Sequence, residues 1–94
     1  MEPKKDTIEA TLTERGAQYG SFARQTVVAQ ELKRIMREAP KWGALAPDQK
    51  EALEMIATKI SRILNGNPDH HDGWHDAAGY AKLVADRLLT GEEK

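Results

Sequence analysis

The sequence predicts an all-α protein, a small helical bundle of three long helices preceded by a short N-terminal one. Three observations carry this. Alanine, leucine, glutamate, lysine and arginine dominate, with 31% of residues charged and 5% aromatic, a composition that favours helix. Apolar residues recur at three- and four-residue intervals through each long segment and do not alternate. Helix-ending residues, among them Pro40, Gly66 and Gly91, fall where those periodic segments stop.

Ninety-four residues suffice for a single core. The expected layout is a frayed tail at 1–5, one helical domain over 6–91 and a tail at 92–94. The first helix starts on the capping-box-like pair Asp6 and Glu9, with Ile8 and Leu12 stacked one turn apart. Gly16 and Gly20 bracket Ala17-Gln18-Tyr19, which reads as a break or tight turn. Ser21 is the N-cap expected for a second helix over 21–38, whose apolar face is Val28, Leu32, Ile35 and Met36. Pro40 ends it, and Trp42 anchors the loop that follows.

The third helix runs from Pro47 or Asp48 to Asn65, with Gly66 as a left-handed cap. Leu53, Ile56, Ala57, Ile60, Ile63 and Leu64 form its apolar face, Glu51, Glu54, Thr58 and Ser61 the opposite one. Lys59 and Arg62 lie on the border. The fourth helix starts near Asp69 or Asp72 and stops at Gly91. It forms an antiparallel hairpin with the third. Its stripe of Trp74, Ala77, Ala78, Ala81, Val84, Ala85 and Leu88 permits close helix approach, while Gly79 and Leu83 lie on another side. A helix with two such sides calls for two packing partners. The second is expected to be another subunit, in a homo-oligomer.

Composition narrows the function. With no cysteine, a disulfide framework and thiolate metal ligation are excluded. Fourteen basic and fifteen acidic side chains give a net charge of −1, which lacks the basic field of a nucleic-acid binder. The basic cluster Lys33, Arg34 and Arg37 reads as a solvated face, neighboured by Glu31 and Glu38. No apolar run is long enough to serve as a membrane segment or a signal peptide.

All three histidines lie in the segment His70–His75, beside Asp69, Asp72 and Asp76. His71 and His75, one turn apart, suit two imidazoles on one metal ion. Asp72 and Asp76 offer oxygens to a harder ion, magnesium or manganese. The plainer reading is a helix start, because aspartate caps free amides and complements the helix dipole. Lys59 and Arg62 face these acids across the hairpin. They are either ion pairs that lock it or a phosphate clamp. Arg24, in the first turn of the second helix, opposes the dipole; surface solvation relieves much of that conflict, and an anion held with Arg15 would relieve it too. No nucleophile and base form a recognisable pair.

The segments "ERGAQYG", "KISRILNG" and "DAAGYAKL" resemble a family of small phage and prophage proteins of unknown function, over residues 12–90. The resemblance rests on Arg15, Tyr19 and Gly20, on Lys59, Arg62 and Gly66, and on Asp76, Gly79 and Tyr80. It implies viral or prophage origin and a cytoplasmic location in the host cell. More distantly, the chain resembles the MazG-like all-α nucleoside triphosphate pyrophosphatases, which hold magnesium between acid pairs on successive helices. That resemblance implies a metal set of Glu51, Glu54, Asp72 and Asp76, with Lys59 and Arg62 on phosphate. The pattern departs at Asp72, four residues from Asp76 where the family has three, and in placing two cations near a cation site.

Two functions follow as expectations. One is a phage accessory protein that binds a host protein through charged helix faces, without catalysis. The other is a nucleotide-binding or metal-dependent pyrophosphohydrolase-like protein, in which water attacks a phosphoanhydride.

Overall fold

The computed structural model describes residues 7–92, so the expected tail at 1–5 and the cap at Asp6 lie outside the described residues. It contains α1 Thr7–Tyr19, α2 Phe22–Glu38, α3 Pro47–Asn65 and α4 His71–Thr90, with one 3-10 turn at Trp42–Ala44. No strand occurs among the described residues. The all-α class and its three long helices are as the sequence predicts.

Helix α1 passes through Gly16 without a break, contrary to the expected turn there. Nothing lies near the place of a Gly16 side chain, so this glycine only weakens the helix. The chain turns at Gly20, whose φ of 76° is left-handed. Ser21 then caps α2, its hydroxyl accepting from the Arg24 N–H at 3.4 Å. Pro47 opens α3, where the Gln49 side chain accepts from the Ala46 N–H at 2.8 Å.

Gly66 ends α3, but not in the expected left-handed conformation, since its φ is −132°. Glycine is needed for space. A Cβ there would collide with the backbone of Gln18 and Tyr19. His70 precedes α4 with no side-chain cap. The turn before it is closed instead by Asn67, whose Oδ1 accepts from the Asp69 N–H at 3.0 Å. Trp74 ties the turn to the helix by donating from Nε1 to the Pro68 carbonyl at 2.7 Å. Gly91 is the stop that the sequence predicts for α4, and its φ of 76° is left-handed.

Helix α3 is central, with α2 and α4 packed on it and α1 against the junction of α2 and α3. Cross-helix pairs fix both directions. Gln25 meets Ser61 and Arg37 meets Glu54, so α2 and α3 are antiparallel. Gly73 faces Ile63, Asp76 meets Lys59 and Arg87 meets Asp48, which confirms the α3–α4 hairpin.

Burial departs from the expected faces. The buried hydrophobic residues among those described are Ala29, Ala52 and Ala57, joined by Gln25, Lys59 and Ser61. Ser61, expected on the polar face, is fully buried because it points at α2. Leu53, Ile60 and Leu64, expected in the core, are 42%, 40% and 69% exposed. They occupy an arc of α3 that neither neighbour covers. The radius of gyration is 16.3 Å, against about 12 Å for a compact domain of this length.

Candidate functional site

Two of the three segments singled out in the sequence, 14–20 and 59–66, meet at one end of the hairpin; of the third, Asp76 lies one turn along, and Tyr80 and Leu83 lie towards the far end. Asn65 bridges the α1–α2 turn, its Nδ2 donating to the carbonyls of Tyr19 and Ser21, both at 2.9 Å. The Asn67 N–H donates to the Gln18 carbonyl at 2.6 Å. With Gly66 pressed on the Gln18–Tyr19 backbone, this junction holds Tyr19 against α3. The Arg62 guanidinium carbon lies 4.9 Å above the Tyr19 ring centroid, a cation–π contact. Tyr19 and His70 meet edge to face, with ring centroids 5.7 Å apart.

One turn along, the Lys59 Nζ lies 3.0 Å from Asp76 Oδ2. The Lys59 side chain is only 11% exposed, so burial of its stem brings the ammonium to the hairpin seam. The hydrogen bond from Lys59, reinforced by its charge, holds the Asp76 carboxyl below its ordinary pKa; burial opposes this, and the charges of His75 and Arg62 assist it. Lys59 thus forms an ion pair across the hairpin, whereas Arg62 makes none among the described residues.

The other acids are dispersed. Glu54 turns towards α2, where Arg37 Nε donates to it at 3.1 Å and a second guanidinium nitrogen also contacts it. Glu51 is exposed, with no ion pair among the described residues. Asp72 is exposed at the start of α4, 3.6 Å from His70 Nε2 and 3.7 Å from His71 Nδ1. In the hairpin register Asp76 stands opposite Lys59, five residues from Glu54, about 7.5 Å along the axis. No group of three or more histidine or acidic side chains suited to a metal ion occurs among the described residues. His71 and His75 stack on each other, with centroids 5.2 Å apart.

Sequence reasoning missed a second polar feature. At the far end of the hairpin, Arg87 holds Asp48 through two hydrogen bonds, that from Nη2 to Oδ1 being 2.8 Å. The bond from Arg87 is the main cause of an Asp48 pKa below the carboxylate norm. Beside the pair is an open groove of about 620 Å³ lined by Pro47, Glu51, Tyr80 and Leu83 among others. The signal was available, since an antiparallel hairpin that pairs Lys59 with Asp76 also brings Asp48 level with Arg87. On α2, Arg34 bonds Glu38 at 3.0 Å and also contacts Glu31, so the basic cluster is largely compensated.

A family model described as a domain of unknown function, DUF6378, matches residues 5–88. No curated protein and no solved structure matches the chain. No helix among the described residues is long and apolar enough to cross a membrane.

Proposed function

The chain belongs to the DUF6378 family, a domain of unknown function, and we propose that it is a phage- or prophage-encoded accessory protein that binds a host protein, without catalysis. It works in the host cytoplasm, with its charged helix faces as the contact surface. One observation carries this reading. Two of the four acids that a metal-dependent mechanism would use are already engaged, Glu54 by Arg37 and Asp76 by Lys59. A magnesium or manganese ion at either carboxylate would lie close to a positive charge already held there, which repels it.

A second reading is favoured by Arg62. Its guanidinium is held over Tyr19 and makes no ion pair among the described residues. Such a group, beside Lys59, suits a phosphate. In this reading the chain is a nucleotide-binding relative of the MazG-like enzymes, with magnesium or manganese at Glu51, Glu54, Asp72 and Asp76.

Thermal melting with manganese and a nucleoside triphosphate separates the two, because a ligand that binds only the folded state raises its midpoint. Binding to a host protein predicts no shift. It also predicts one stoichiometric partner captured from host lysate, lost when Lys33 and Arg34 are both replaced by glutamate. A rise in midpoint that Asp76→Ala abolishes, with the fold intact, supports the nucleotide reading instead.

A further inference from the structure

We infer that the uncovered apolar side of the α2–α3–α4 layer is the interface of a two-fold homodimer in which α4 of one copy crosses α4 of the other antiparallel, centred on Ala81. On α3, the arc between Ser61, turned to α2, and Ile63, turned to α4, carries Leu53, Ile60 and Leu64. Antiparallel packing brings Trp74 and Leu88 of α4 to that same side, at 59% and 60% exposure, together with Ile35 of α2 at 55%. The ion pairs Arg37–Glu54 and Asp48–Arg87 emerge on the other side. Between Leu53 and Leu64, and between Trp74 and Leu88, the two apolar arcs contain no lysine, arginine, aspartate or glutamate.

The area fits a dimer. The chain exposes 7117 Å², whereas a folded monomer of 10.5 kDa exposes about 5,400 Å². Part of this excess belongs to α1, whose residues 7–17 are all exposed, and part to the uncovered apolar side; an obligate dimer covers roughly 1,000–2,500 Å² per partner. Permanence also selects the occupant. Among the described residues the buried hydrophobic ones are all alanines, so the large apolar side chains need cover whenever the protein is folded. A partner encountered only at times cannot supply that; a second copy is always present.

The face is self-complementary as well. Trp74 and Leu88 each stand seven residues from Ala81, with Ala78 and Ala85 between. An antiparallel crossing at Ala81 seats Trp74 of each copy beside Leu88 of the other, and the alanines let the axes approach. This interface leaves the ionic side outward, so it is independent of the host-binding reading.

The chain has no cysteine, which permits a direct test. Sedimentation equilibrium of the unaltered protein should give twice 10.5 kDa at micromolar concentration. Under mild oxidation Ala81→Cys should form a disulfide-linked dimer roughly tenfold faster, or more, than Leu83→Cys on the other side of α4, because a disulfide needs Cα atoms within about 7 Å. A folded monomer overturns the dimer, including one whose apolar side is covered only by added phospholipid vesicles or a host protein. A dimer in which the Leu83→Cys variant links as fast as the Ala81→Cys variant overturns the α4 crossing.

Discussion

Gly66 and Gly79 show how differently the same residue type can be used. Gly66 touches the backbone of Gln18 and Tyr19, so Gly66→Ala forces a collision that cannot be relieved by turning a side chain. It should destabilise by about 1–3 kcal/mol in urea melts. Gly79 faces open space within α4, and Gly79→Ala should stabilise by about 0.5–1 kcal/mol through helix propensity alone. The sequence marks Gly66 as a helix end, but the close approach depends on residues far away in the chain and no local pattern carries it. Gln25 and Ser61 were illegible for a related reason. Their 2.7 Å hydrogen bond lies at the buried α2–α3 contact, where a helical wheel predicts only polar surface. Gln25→Ala should cost about 1–3 kcal/mol, since it leaves Ser61 with less than its full complement of partners and opens a gap.

At the scale of elements, the hairpin was legible because Pro47, Gly66 and Gly91 mark its ends and the loop between α3 and α4 is short. Its two polar ties were half legible: Lys59 with Asp76 was an explicit alternative, whereas Asp48 with Arg87 required the register to be carried to the far end. Both aspartates are held below their ordinary pKa, first by a hydrogen bond from their cation. A carboxyl that binds its proton less tightly when folded stabilises the fold at pH above its ordinary value of about 4. That contribution is lost as pH falls through the lowered folded value. Asp76→Asn and Asp48→Asn should therefore destabilise at pH 7. The difference from the unaltered chain should shrink steadily below about pH 4, as measured by urea melts across that range. A difference independent of pH would show that shape, and not charge, is what these residues contribute.

The whole molecule is a layer of helices with an ionic side and an apolar side. Periodicity gives the phase of each helix but not which arcs its neighbours cover. That is why Leu53, Ile60 and Leu64 read as core in the sequence and are exposed in the structure. An uncovered side was legible in the two-sided α4. Its extent was not, because it depends on α2 and α4 both flanking α3. If a second copy covers this side, the melting midpoint should rise with protein concentration, as mass action requires. On the ionic side Glu54 and Asp76 are each engaged by a cation. The most direct measurement is incubation of the purified protein with magnesium or manganese and a panel of ribo- and deoxyribonucleoside triphosphates, assayed for monophosphate and pyrophosphate. Binding without catalysis predicts no release above the protein-free control. Release that Glu54→Gln and Asp76→Asn each abolish, in variants that retain their helicity, would contradict it.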